Sequence, residues 1–330
     1  MTAGVAQRYR EFAAQEAHGR SPLYEQLAEG IAEDADILAL LATLPEEKQQ
    51  PNLILAAARY VAGPAADFAG FRRTVLDRRD EVLTTVRTRR TQTNEPARTA
   101  ALYPILADLP QPLALLEVGA SAGLCLLPDR YRFEYDHHSD DHSGSAASGA
   151  ARRPGVVAGD LDSPVVLRSR VEGPARRPGP ISVSWRAGID LNPLDVTDPD
   201  DVRWLDALVW PGDHDRRERL HHALAVARRN PPRVVRGDLN ERFDEVVAQA
   251  PAGATLVVCH TAVLWYLSEA DRATFRAKLK TIDCHWLAQE APGVHPGLSA
   301  DRSLRSYLVT LDEQPMAYSA PHGGWLRWLT

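Results

Sequence analysis

The sequence predicts a doubly wound α/β sheet preceded by an all-helical N-terminal domain. Three observations predict it. Up to about residue 110, apolar residues recur at three- and four-residue spacing. Beyond that point, short apolar runs alternate with helical stretches, the order that builds a parallel sheet. At the change of pattern stands "LALLEVGASAGL", residues 113–124, an apolar run of strand length that ends in small residues. Continuous apolar runs are typical of strands buried on both faces.

The helical half begins with "VAQRYREFAAQEA", "SPLYEQLAEGIAED" and "ADILALLATL". Ser21 followed by Pro22 is a good helix start. "QPNLILAAARYVAG" starts a helix after Pro51 and stops at Gly63. "TNEPARTAALYPILADL" offers Asn94 as a cap with Pro96 in the first turn. After "PLALLEVG", the strand candidates are "ISVSWRAGID", "RVVRGDL", "ATLVVCHTAVL", "DCHWLAQE" and "RSYLVTLD". "DPDDVRWLDALVW", "RRERLHHALAVARR" and "SEADRATFRAKLKT" are the intervening helices. The closing "SLRSYLVTLDEQPMAYSAPHGGWLRWL" suggests a terminal hairpin at the sheet edge. The domains expected are therefore 1–110 and 111–330, with an insertion at about 128–180.

Composition narrows the function. A net charge of -6 over 330 residues argues against a surface that coats nucleic acid. No apolar run reaches the ~18 residues of a membrane helix, and the N-terminus lacks the apolar core of a signal peptide. Three well-separated cysteines (Cys125, Cys259, Cys284) read as a reduced, cytoplasmic protein without a disulfide framework. The polar segment 137–155 holds His137, His138 and His142, with Asp136, Asp140 and Asp141 alongside. Their spacing matches no established ligand pattern, so no metal is expected.

The glycine-rich turn carries the functional argument. In open α/β sheets, ligands bind outside the carboxyl ends of the strands near the switch point. The small residues from Glu117 to Gly123 would admit a ligand to the backbone, and a following helix would present free N–H groups. Glu-x-Gly-x-Ser-x-Gly differs from the dinucleotide fingerprint. It resembles the first motif of class I S-adenosylmethionine (SAM)-dependent methyltransferases, acidic-x-Gly-x-Gly-x-Gly, with Ser121 at the middle glycine. The resemblance implies a Rossmann-like sheet with SAM as cofactor, held by Glu117, Gly119, Ser121 and Gly123. It implies that strand two ends in an acidic residue on the ribose hydroxyls. "RAGIDLNP" fits with Asp190, although Asp190 lies far more than about twenty residues beyond the turn. Asp136, ending "YRFEYD", is the alternative; Asp190 is favoured. Asp238, after "RVVRG", would meet the adenine amino group or cap a helix.

The same resemblance implies that the end of "TLVVCH" faces the site. His260 is the general-base candidate there because histidine titrates near neutral pH; a core histidine is the other reading. Cys259 should point to the opposite face. "HWLAQE" adds Glu290 as a second catalytic candidate and Gln289 on the acceptor side. Arg90, Gln92, Asn94 and Glu95 would line a lid or hold substrate, or else form a capped helix start.

Over nearly the whole chain, "QPNLILAAARY", "RRTQTNE", "LLEVGASAGL", "WRAGIDLNPLDVTD", "ALVWP", "RVVRGDL", "HTAVL" and "HGGWLRWL" resemble the signature blocks of domain of unknown function 2332. That family implies no activity beyond its likeness to the methyltransferase fold. The function expected is SAM-dependent methyl transfer to a small molecule. The alternatives are a SAM or nucleoside sensor, or a non-methylating enzyme on the same fold.

Overall fold

The computed structural model describes residues 2–92, 94–137, 155–291, 293–294 and 306–329. The chain divides into two units, one of residues 1–93 with 197–218 and one of 94–196 with 219–330. The first unit is helical. It contains α1 (Thr2–Phe12), α2 (Pro22–Glu33), α3 (Ala35–Leu41), α4 (Pro51–Ala62), α5 (Phe68–Asp77) and α6 (Arg79–Thr88). The next helix, α7 (Thr99–Asp108), falls in the second unit, whereas α8 (Pro199–Leu208) belongs to the first, and α9 (His214–Arg229) runs across the division. The sequence pattern places α7 and α8 on the other side of the division. Helical periodicity reports the element and not its packing partner.

The local signals act as expected at the ends of α2 and α4. Ser21 Oγ accepts from Tyr24 N, and Pro22 supplies the first turn of α2. Gly63 stops α4 at φ +83°, a conformation that disfavours a side chain. The sealed Trp204 of α8 donates from Nε1 to the Arg90 carbonyl at 3.0 Å. Arg89 pairs with Asp200 and Asp201, tying α6 to α8.

The second unit is built on an eleven-stranded sheet. Its strands are β1 (Leu113–Val118), β2 (Arg132–His137), β3 (Val156–Gly159), β4 (Val166–Glu172), β5 (Val183–Asp190), β6 (Val234–Arg236), β7 (Thr255–Thr261), β8 (His285–Glu290), β9 (Tyr307–Leu311), β10 (Gln314–Ser319) and β11 (Trp325–Trp328). The order is β3-β2-β4-β11-β10-β9-β8-β7-β1-β5-β6. The run β6-β5-β1-β7-β8 is parallel throughout. β9, β10 and β11 continue it in antiparallel fashion, and β11 then pairs in parallel with β4. The closing strands therefore lie inside the sheet and not at its edge, because β2, β3 and β4 extend the sheet beyond them. β5, which ends in Asp190, adjoins β1; β2, which carries Asp136, does not.

Helices pack on one face of the parallel strands. Phe243 and Val246 of α10 (Leu239–Val247) and Phe275 and Leu279 of α11 (Glu269–Leu279) form a core with Leu116, Val118, Ala187, Ile189, Val258 and Trp286. On the other face, the chain after β1 runs across β5. Ala120 packs where a Cβ on Gly188 would come within 2.5 Å. A larger residue at 188 must push the glycine-rich turn away from the sheet. Gly188→Val should therefore destabilise the protein by about 1–3 kcal/mol, the usual cost of overpacking, as measured by urea unfolding.

Candidate site at the carboxyl ends of the parallel strands

The turn after β1 is tightly made. Gly119, Ser121 and Gly123 all adopt positive φ (+70°, +52° and +71°), which favours glycine at two of the three positions. The N–H groups of Gly119 and Ala120 donate to the Ile189 carbonyl of β5 at 2.8 and 3.2 Å. Two side chains brace the turn from opposite directions. Asp190 Oδ2 accepts from Ser121 N at 2.8 Å while its Oδ1 accepts from Asn192 N at 2.7 Å. Asn94 Nδ2 donates to the Ala120 carbonyl at 3.1 Å and its Oδ1 accepts from Leu124 N at 2.9 Å.

The helix expected after the turn is absent. Two 3₁₀ turns, Leu124–Leu126 and Pro128–Arg130, take its place and lead directly into β2. Pro128, so soon after Gly123, leaves no room for an α-helix to propagate. The chain's own side chains fill the space beside the glycines. A Cβ on Gly119 would meet Val263 Cγ2 at 2.3 Å, and one on Gly123 would meet Pro232 Cβ at 2.6 Å. The small residues thus serve internal packing in this conformation.

Glu117 is 2% exposed, and its Oε2 has no hydrogen-bond partner. Burial, and then the nearby Asp190 carboxylate, hold its carboxyl well above the ordinary range, with Arg98 opposing. Asp238 follows Gly237, whose N–H donates to the Asp190 carbonyl at 3.0 Å. Asp238 caps α10, accepting from Asn240 N at 2.8 Å.

β7 splits its side chains between the two faces. His260 is sealed beside Phe275 and Trp286. Trp286 Nε1 donates to His260 Nε2 at 2.8 Å, so Nε2 is an acceptor. Nδ1 then carries the proton and donates to Glu290 Oε1 at 2.7 Å. Glu290 Oε1 also accepts from Val263 N and Leu264 N at 2.8 and 3.0 Å. Burial alone would raise the Glu290 carboxyl, but these donors outweigh it and lower its pKa. The arrangement leaves His260 no ring lone pair for a substrate proton. The geometry fits the second sequence reading, a core histidine that helps hold the turn after β7. Sequence left the two readings open because Trp286 and Glu290 reach His260 from the neighbouring strand, two residues either side of its register partner Ala288. Gln289 is fully buried and donates to Ser319 Oγ at 2.7 Å, with Oε1 unpartnered.

The remaining candidates separate. Asn94 braces the glycine turn and does not cap α7. Glu95 is buried, caps the 3₁₀ turn Pro96–Arg98 through Ala97 N, and receives Arg219 at 2.8 and 3.2 Å. Arg90 and Gln92 belong to the helical unit. Asp136 and His137 end β2; His138, Asp140, Asp141 and His142 lie outside the described residues. Among the described residues, no group of three or more His, Cys, Asp or Glu is placed to hold a metal. No helix there is long and apolar enough to cross a membrane.

The family described as "Uncharacterized protein conserved in bacteria (DUF2332)" matches residues 6–328. The chain belongs to this family. The match spans both the helical unit and the sheet, so the DUF2332 sequence pattern includes the braced turn and its surroundings. No curated protein and no solved structure matches the chain.

Two consequences can be measured. His260→Asn breaks bonds to a buried carboxylate and a buried indole, so it should cost about 1.5–3 kcal/mol in denaturant unfolding. For Glu117, the folded pKa lies above the unfolded value of ~4.3. The folded state therefore holds a proton that the unfolded state releases, and wild-type stability declines as pH rises above ~4.3. Glu117→Gln removes that decline. Its stability advantage over wild type should be largest at alkaline pH and shrink toward pH 4, as followed by unfolding across the pH range.

Proposed function

We propose that this DUF2332 protein binds SAM at the carboxyl ends of β1 and β5 and transfers its methyl group to a small molecule. The observation that carries the reading is the bond between the turn and the neighbouring strand. Asp190, ending the strand beside β1, reaches the Ser121 N–H of the turn that opens after Glu117. This joins the two motif positions that the methyltransferase resemblance pairs. The strand order β6-β5-β1-β7-β8 supports it, since β1 has β5 on one side and β7 on the other and so lies at a switch point.

The chemistry of the donor set also supports SAM over a dinucleotide. A pyrophosphate is usually met by a helix N-terminus, and here the turn leads into 3₁₀ turns instead. Two carboxyl groups, Glu117 and Asp190, flank the turn, and a cationic ligand would favour the ionised form of Glu117, which suits a ligand bearing an ammonium and a sulfonium. Asp190 is the carboxylate that would accept the ribose hydroxyls. Ser121 Oγ and Glu117 Oε2, both buried and unpartnered, are available to polar ligand groups. Val263 must move off Gly119 for a ligand to reach the turn backbone from that side. When bound, SAM supplies an electrophilic methyl group. The protein's part is alignment of the acceptor and exclusion of water.

The engagement of both His260 nitrogens favours a second reading, a SAM or nucleoside sensor without turnover. Calorimetry with SAM and with S-adenosylhomocysteine tests the shared first step. Wild type should bind at least one of them at millimolar concentration or tighter. Asp190→Ala should weaken that binding by about 1.5–3 kcal/mol, the scale of hydrogen bonds to a charged group. Absence of binding to either ligand by folded wild type removes both readings. Transfer of isotopic methyl from SAM into an acceptor in a metabolite extract separates the enzyme from the sensor.

A further inference from the structure

We propose that Arg98 and Tyr307 form a receptor for a carboxylate, and that the small molecule taken by this protein is a carboxylic acid with an apolar body. Arg98 ends the 3₁₀ turn before α7 and keeps only 6% of its surface exposed. Its Nε donates to the Pro321 carbonyl at 3.0 Å. Its Nη1 donates to the Thr261 carbonyl at 3.1 Å and to Thr261 Oγ1 at 3.4 Å. Nη2 makes no bond, and Arg98 makes no ion pair among the described residues. All its acceptors are neutral. Glu117 feels Arg98 through space but makes no bond to it; a guanidinium removed from water without a bonded anion is costly, and a carboxylate is its natural complement.

The position suits a substrate. Thr261 ends β7, and by the register of β1 with β7 it lies level with Gly119, the first residue of the turn. Tyr307 begins β9, and Arg98 Cζ lies 5.9 Å from its ring centroid. The Tyr307 hydroxyl has no partner among the described residues, so it offers a second donor from the ring that Arg98 faces. Tyr307 is also within electrostatic reach of Tyr266. Tyr266 and its neighbour Trp265 are 74% and 61% exposed in the turn that follows β7. They offer apolar surface for the body of a ligand whose carboxylate meets Arg98.

A carboxylate also fits the engagement of both His260 nitrogens. It is already deprotonated at neutral pH, so no side chain has to remove a proton. In this part, which rests on the proposed function, one carboxylate oxygen bonds to the methyl carbon of the sulfonium donor. The carbon–sulfur bond breaks with its electron pair going to sulfur, which becomes a neutral thioether, and the product is a methyl ester.

Calorimetric titration of the full chain with benzoate, benzamide and inorganic phosphate tests the receptor without SAM. Benzoate should bind, while benzamide and phosphate should bind at least about tenfold more weakly, since they lack the charge or the planar two-oxygen edge. Tyr307→Phe, which deletes one hydroxyl, should weaken benzoate about 2–10-fold. Arg98→Lys keeps the charge but loses the fork and should weaken it about tenfold or more. Equal binding of benzoate and benzamide, phosphate binding as tight as benzoate, no benzoate binding, or unchanged affinity in a folded Tyr307→Phe protein would each overturn the proposal. SAM titrated separately keeps the two readings apart. Benzoate binding without SAM binding retains this receptor and rejects methyl transfer, whereas SAM binding without benzoate binding rejects the receptor alone.

Discussion

One buried carboxylate oxygen organises the end of the parallel sheet. Glu290 Oε1 gathers the Nδ1–H of His260 and the N–H groups of Val263 and Leu264. A sealed carboxylate is expensive unless it is matched by donors, and here three converge on one atom. The geometry that satisfies it fixes the turn after β7. That turn sets Val263 against Gly119 and carries Trp265 and Tyr266 into solvent. It also fixes the tautomer of His260, whose other nitrogen is taken by Trp286. The residue types of a catalytic pair are therefore present, but their lone pairs and protons are spent on structure.

Glu117, Gln289 and Ser121 each leave one buried polar atom without a partner, as Glu290 does at its Oε2. Most buried polar groups in folded proteins find partners, so a group of exceptions gathered at the carboxyl ends of β1, β7 and β8 needs a reason. A ligand that brings both positive and negative charge supplies one. An ammonium would suit Glu117, and a carboxylate on a second molecule would suit Arg98. Asp190 and Asn94 brace the turn between them and hold its backbone in left-handed conformations that only packing and hydrogen bonds can enforce.

Local chemistry made the helical half and the parallel strands legible. Ser21 with Pro22, Pro51 with Gly63, and the apolar run before Glu117 each specify their element within a few residues of sequence. What escaped was set by distant partners. Asn94 has the sequence signature of a cap, yet its bonds go to Ala120 and Leu124 across a helix and a strand. His260 has the position of a base in the methyltransferase pattern, and only its registration against β8 shows that Trp286 and Glu290 claim both nitrogens. The closing strands read as an edge because nothing local announces that β11 pairs with β4. Arg98 carried no motif at all; what marks it is burial beside neutral acceptors, which a sequence does not display.

The central claim is that the braced turn after β1 is a ligand site that Val263 covers in the absence of ligand. A crystal structure of the protein grown with S-adenosylhomocysteine tests it most directly. The account predicts ligand density against Gly119–Gly123, with ribose hydroxyls on Asp190 and Val263 displaced from Gly119. Density elsewhere on the molecule, or Val263 still seated on Gly119 with the turn empty at saturating ligand, would contradict it.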